Sequence, residues 1–241
     1  MLERVKNFFK QETVLCAAII LAVGSSFFAV PQLAYVDFSV LSILFSLMLV
    51  VAGLKSIRFL DWVAVELANR CQSMRQIVYA LVGITYVSSM FVTNDVALIT
   101  FVPITLVIGK KSNISMLKIV IFETLAANLG SALTPMGNPQ NLFIYSFYNI
   151  TPNKFFSITL PLSLLSILFL LVIIFKEKNK NLNFNLEDIK LGSKYKIGIF
   201  AVLMIIVLLS VFHIINYKIA FIITIITVFI VNRRLFFKVD I

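Results

Sequence analysis

Two short polar clusters interrupt the long apolar stretches of this chain. The first is Thr93-Asn94-Asp95. The second lies within Asn128-Leu-Gly-Ser-Ala-Leu-Thr-Pro-Met-Gly-Asn-Pro-Gln-Asn141 and holds Thr134, Gly137, Asn138, Gln140 and Asn141. A carboxylate, amide carbonyls, hydroxyls and main-chain carbonyls freed by proline are hard oxygen donors, suited to Na+ or to a proton. Main-chain N–H groups at the start of a helix suit an anion instead. No His/Cys metal spacing and no nucleophile–base pair accompanies them, so the chain is not read as an enzyme and no cofactor beyond a coupling Na+ or H+ is expected.

These donors must be held at membrane depth. A spanning helix needs about 20 apolar residues in a row. The run from Ile119 is broken by Pro135, Gly137 and Pro139. Proline brings no N–H and clashes with the preceding turn, and glycine permits angles a helix does not use. A structural kink needs one proline and no amides. The cluster of amides favours a broken helix that lines a wet or protein-enclosed cavity. Asp95 is costly at mid-membrane, roughly 2.5–3.5 kcal/mol on insertion scales. A neighbouring cation would keep it ionised; its structural alternative is to cap a helix N-terminus.

Composition sets the class. The 241 residues are 60% hydrophobic and 13% charged, with a mean hydropathy of +1.00. Hydrophobicity that is continuous rather than alternating requires an all-α, polytopic helical membrane protein. The net charge of +10 then reports topology rather than nucleic acid. Hydropathy marks Thr13 to Val30, Phe38 to Leu54, Ile77 to Gly109, Lys118 to Ile150, Phe156 to Phe175, Ile197 to Ile215 and Lys218 to Val231. Met1 to Glu12 is too short for a cleavable signal, so the first run is read as a retained span with a cytoplasmic N-terminus, in a prokaryotic inner membrane. Basic clusters flank Ile77–Gly109 on both sides: Lys55, Arg58, Arg70 and Arg75 before it, and Lys110, Lys111 and Lys118 after it. With both clusters inside, its 33 residues must enter and leave on one side, as a re-entrant hairpin with its tip at Thr93–Asp95. Two full crossings would need about 40 residues. Under this topology 19 of the 21 lysines and arginines lie inside, leaving Lys154 and Lys218 outside.

Glu123 is a second intramembrane acid, on the helical face of Ala127, Gly130 and Thr134. Proton coupling and a structural pair with a basic residue near the inner surface stand open for it. His213 is assigned an interfacial place, Trp62 an amphipathic surface stretch from Ile57 to Asn69, and Cys16 and Cys71 no metal or disulfide role. Lys176 to Lys196 is read as a solvated cytoplasmic linker.

Phe91-Val-Thr-Asn-Asp-Val-Ala-Leu-Ile-Thr-Phe-Val-Pro-Ile104 followed by the Asn128–Asn141 stretch resembles the ion transporter superfamily. That group includes divalent-anion/sodium symporters with citrate-transporter-like domains, arsenite permeases and a class of sodium/proton antiporters. The resemblance, from about Leu15 to the end, implies an inverted-repeat fold in which the hairpin tip and the unwound Gly-x-Pro-x-Asn segment enclose a cation, with substrate alongside. Thr93, Asn94 and Asp95 would form the tip, and Gly137, Asn138, Pro139 and Asn141 the unwound segment, with Na+ at Asn94, Asp95 and Gly137. The implied function is cation- or proton-coupled secondary transport of a small anion or oxyanion. The alternatives are an arsenite-type efflux permease, a sodium/proton antiporter, or a non-transporting remnant or subunit. Asp95 stands where dicarboxylate symporters have Thr, and Asn-Asp is closer to the arsenite permease pattern. The expected organisation is a first repeat over 1–175, a cytoplasmic linker over 176–196, and the beginning of a second repeat over 197–241. An incomplete repeat pair leads to the expectation that a homodimer or a second-repeat partner completes the site.

Overall fold

A computed structural model describes residues 13–30, 32, 35–177, 179–181 and 186–237. The stretch Met1–Glu12, on which the expected cytoplasmic N-terminus rests, lies outside them, as do Lys178 and Lys238 of the basic clusters. Among the described residues the regular elements are all helical, apart from one isolated β-bridge between Ser73 and Asn181. The fold is therefore all-α, as continuous hydrophobicity demands.

The chain divides into two compact units, 1–38 and 39–241. The first contains α1 (Thr13–Ser26), whose 14 residues carry exposed Val14, Ile19, Ile20, Leu21 and Val23. It stops four residues short of the run expected to reach Val30, because residues 27–29 are turn and bend.

The second unit holds α2 (Phe38–Ser56), α3 (Phe59–Asn69), α4 (Met74–Val92), α5 (Asn94–Ser112), α6 (Leu117–Ser131), α7 (Pro139–Phe147), α8 (Pro152–Lys176), α9 (Lys194–Val211) and α10 (Tyr217–Asn232), which continues as a 3-10 turn, Arg233–Phe237. Five helical stretches among the described residues are long and apolar enough to cross a membrane: α2, α4, α8, α9, and α10 with its 3-10 extension. The expected hairpin is present as α4 and α5, joined at Thr93 alone. Its arms are longer than Ile77–Gly109 allowed. Each has 19 residues, about 28 Å at 1.5 Å per residue. That is close to the thickness of the bilayer's hydrocarbon core, so the length that favoured a re-entrant hairpin over two crossings no longer does. The extra turn comes from Ser73, which caps α4 by accepting from Gln76 N, and from polar Lys110–Ser112, which continue α5 past the apolar run.

α4 packs on α5, α6 and α8. Ile77, Val78, Leu81 and Val82 meet Ile108 of α5, Ile119 and Ala126 of α6, and Leu170 and Ile174 of α8. A second core joins α2 to α9 and α10 through Leu47, Val50, Phe200, Leu203, Val207 and Val228. Met136 and Leu142 of the broken helix belong to that second core. Lipid is as apolar as leucine, so such contacts gain little from excluding water and depend on close packing and polar links. Both are present. Gly130 lies so near the Tyr86 carbonyl and Ser89 Oγ that a Cβ would overlap them, and Gly53 likewise accommodates the Phe200 ring. Tyr86 Oη donates to the Ser163 carbonyl at 2.9 Å, tying α4 to α8.

The stretch expected to be a solvated linker is mostly exposed over its described part, and it is also tied to the helices. Asn69 donates from Nδ2 to Leu186 O at 3.1 Å and accepts from Leu186 N at 2.9 Å. Met74 N donates to Lys180 O, and Gly192 N to Ile57 O. Exposed helix-end groups need partners, and this strap supplies them.

A candidate ion and substrate site at the hairpin tip

Asn94 opens α5 immediately after Thr93, whose φ of 74° and ψ of 154° fall in a region that non-glycine residues rarely adopt. For a β-branched residue such geometry costs on the order of 1–3 kcal/mol and persists only where the surroundings impose it. Thr93 does not cap α5 with its side chain. The tip is thus a one-residue reversal between two helices, and it projects Asn94 and Asp95 from a helix N-terminus.

The break in the second element has a different construction. α6 ends at Ser131, and α7 begins with Pro139 at its first turn, where a missing N–H costs nothing. Asn138 is the N-cap: its Oδ1 accepts from Asn141 N at 2.8 Å. Asn141 Nδ2 lies within reach of three main-chain carbonyls, Ser131 O at 3.3 Å, Ala132 O at 3.2 Å and Thr134 O at 3.1 Å. Asn138 Nδ2 adds a contact to Ser131 O at 3.4 Å. Gly137 packs so closely on the Ser131 backbone that a Cβ would overlap it. Main-chain oxygens released by the break therefore converge on one small volume, and a side-chain amide answers them there. Pro135, Met136 and Gly137 are buried, whereas Gln140 is exposed.

The two interruptions meet. Asn94 Nδ2 donates to Asn128 Oδ1 at 3.3 Å, and Thr134 Oγ1 donates to the Met90 carbonyl in the last turn of α4. Asn128, one residue of the quoted stretch but absent from the site expected from sequence, is the tip's direct partner. Its Nδ2 also donates to Thr124 O at 2.8 Å; an amide within an otherwise apolar run is the sequence signal that could have marked it. Asp95 is exposed and takes part in none of the ion pairs found among the described residues. Asp95, Thr124 and Asn128 are exposed and Asn94 is partly exposed. They form a polar stripe along the tip and the last turns of α6. Thr93, Asn94 and Asp95 thus sit at the tip, Gly137, Asn138 and Asn141 in the break, and Thr134 links the two.

Glu123 stands apart from this stripe. It is fully buried on the face of Ala127 and Gly130, and its partner is Thr105 Oγ1 at 2.8 Å rather than a basic residue. Lys118, the nearest base in sequence, pairs with Glu177 at 3.0 Å. His213, at the end of α9 with φ 61°, sets its ring edge-to-face against Tyr145. A cleft of about 440 Å³ opens away from the tip, lined by Arg58, Asp61, Lys111 and Glu187 among others.

A helical hairpin whose strained tip abuts an unwound, amide-capped helix is the architecture of a polytopic membrane protein built around broken helices. The chain matches the citrate transporter family model over residues 9–240, and it belongs to that family. It is 35% identical over 187 residues to an uncharacterized transporter of Methanocaldococcus jannaschii, covering 76% of this chain and 51% of that protein. It is 33% identical over 149 residues to the inner membrane protein YbiR of Escherichia coli, covering 60% of this chain and 40% of the relative. Similarity to a silicon efflux transporter of rice is 29% over 130 residues, 54% of this chain and 27% of the relative. The chain thus spans about half the length of the first of these relatives, or less.

Proposed function

We propose that this chain forms the ion- and substrate-binding half of a secondary transporter in the cell membrane, coupling Na+ or H+ to movement of a small anion or oxyanion. The observation that carries this is the joining of tip and break through Asn94–Asn128 and Thr134–Met90. Oxygen donors from two discontinuous helices are brought side by side, with Asp95 exposed beside them. A hard cation takes six or so such oxygens. We assign Na+ to Asp95, Asn94 and the Gly137 main chain, since the carbonyls of Ser131, Ala132 and Thr134 are already served by Asn141 Nδ2. The N-termini of α5 and α7 add the partial positive charge that an anion needs. The lipid bilayer is the surrounding solvent, and the N-terminus is placed in the cytoplasm. The exposed polar stripe is costly against lipid, several kcal/mol per unsatisfied group. A second copy, or the remaining half of a longer transporter, would cover it and supply donors from the other side.

Uptake into cells expressing the chain tests this, with labelled citrate and arsenite as probes under imposed Na+ or proton gradients. Gradient-driven flux of one probe, lost in Asp95→Asn while membrane insertion is kept, is the expected result. Flux absent for both probes would overturn the transporter reading, and flux indifferent to Asp95→Asn would leave Asp95 only as a first-turn acid that complements the dipole of α5.

A further inference from the structure

Glu123 is the one acid among the described residues that is completely buried, and its two oxygens are treated unequally. Oε1 lies 2.8 Å from Thr105 Oγ1, across the seam between α6 and α5. Oε2 has no hydrogen-bond partner. Thr105 Oγ1 also lies 3.3 Å from the Phe101 carbonyl one turn back on α5. A threonine hydroxyl has one hydrogen and two lone pairs, so it cannot donate to both oxygens at once. With Glu123 as a carboxylate, one contact loses its hydrogen and a bare charge remains in an apolar seam. With Glu123 as the neutral acid, its O–H donates to Thr105, and Thr105 donates to Phe101. Every hydrogen then has an acceptor.

Among the described residues no cation pairs with Glu123. Of the elements packed against α6, α4 carries Arg75, Tyr79 and Tyr86. The Arg75 guanidinium donates to Glu177 O and lies over the Phe175 ring, and the two tyrosines donate to Leu171 O and Ser163 O. α5 carries Asp95 in its first turn and Lys110 and Lys111 in its last, and α8 carries Lys154 and Lys176. None of these pairs with Glu123; the ion pairs among the described residues are Arg58–Asp61, Arg70–Glu66 and Lys118–Glu177. An ionised carboxylate buried without a partner is among the costliest groups a protein can hold.

We propose that Glu123 is a proton-binding site: its protonated carboxyl pins α5 to α6 through Thr105, and loss of the proton is coupled to parting of that seam. Because α5 carries the tip and α6 leads to the break, parting the seam moves the two halves of the candidate site relative to each other. The proton site stands on the geometry of Glu123 alone. Its part in coupling rests on the transporter reading.

Infrared difference spectroscopy on the whole purified chain, wild type against Glu123→Gln, tests it at neutral pH. Glutamine can donate to Thr105 as the neutral acid does, so the variant is expected to fold. The expected result is loss of a protonated-carboxyl stretch with no loss of carboxylate bands, and a shift of that stretch in Thr105→Val, which removes the acceptor. Thermal stability of the wild type should fall as pH rises and strips the proton, and that fall should flatten in Glu123→Gln. Loss of carboxylate bands in the difference spectrum, or an unchanged pH profile in the variant, overturns the proposal. Citrate and arsenite flux measured separately keeps the two ideas apart. A protonated Glu123 in a protein that moves neither probe sinks transport and leaves the proton site. Proton-driven flux that survives unchanged in Glu123→Gln overturns the coupling.

Discussion

Asn141 does more at the break than any other side chain described there. Its Nδ2 serves the carbonyls of Ser131 and Ala132, which the end of α6 leaves without helical partners, and that of Thr134, which also accepts from Gly137 N. Leaving a buried carbonyl unpaired costs about 1–3 kcal/mol. Asn141→Ala should therefore lower the thermal stability of the detergent-solubilised protein by an amount in that range or above it. Asn141→Asp should lower it further, because a carboxylate would face carbonyl oxygens instead of donating to them. If the aspartate variant were as stable as wild type, the carbonyls would have another partner, such as a bound cation. Thr93 shows a second principle at this scale. Its positive φ is forced by a reversal that allows only one residue between α4 and α5, and the strain is held by Thr134 Oγ1 on the Met90 carbonyl next door.

Among the elements, the strap after α8 changes how the hairpin is anchored. Arg75 at the start of α4 and Lys118 at the start of α6 both reach Glu177, at 3.1 Å and 3.0 Å. The strap then runs past Ser73 and on to Asn69 and Ile57. The exposed ion pair contributes little, about 0–1 kcal/mol. Asn69, which satisfies both main-chain groups of Leu186, contributes more and holds Leu186 in the α4 core. Asn69→Ala is expected to speed amide hydrogen exchange of residues 186–192 at least tenfold, the factor that about 1.4 kcal/mol of lost local stability produces. Exchange in the α9 interior should stay unchanged. Unaltered exchange in 186–192 would show that the strap is held by other contacts.

At the largest scale, the basic residues described at the feet of the hairpin gather together. Ser73 and Arg75 at the start of α4 lie against Asn181 and Glu177. Lys111 at the end of α5 shares a cleft with Arg58 and Glu187. Both feet of the hairpin therefore stand in the same charged neighbourhood, and we propose from the charge bias that this neighbourhood is cytoplasmic. Cysteines introduced at Arg70 and Lys111, with Cys16 and Cys71 replaced by serine, should both react with a membrane-impermeant maleimide only from the cytoplasmic side. Labelling of one from each side would remove the hairpin topology. Loss of both would point to burial of the feet by a partner. The polar stripe of Asp95, Thr124 and Asn128 faces out of the described residues at the other end of α4, which is why a covering half belongs to the proposed function.

Membrane residence, helical class, the hairpin and the broken helix were all legible in the sequence. Each is written in the chain itself: long apolar runs for spans, Pro135, Gly137 and Pro139 for the break, and paired basic clusters for the hairpin's two feet. The limits of the hairpin arms were not legible, because Ser73 and Lys110–Ser112 extend the helices by capping and by polar turns that hydropathy does not register. The attachments of the linker were not legible for a related reason. Its Asn/Lys composition is that of a solvated segment, and only the juxtaposition with Asn69, Ile57 and Met74 gives its main chain partners. Glu123 shows the division most clearly. Its helical spacing placed it on the interior face but left a basic partner and a proton equally open. Which applies depends on what α5 brings across the seam, and that is the hydroxyl of Thr105, 18 residues earlier in the chain. Sequence sets what each segment can bury; which group meets a buried acid is decided only when two helices are laid side by side.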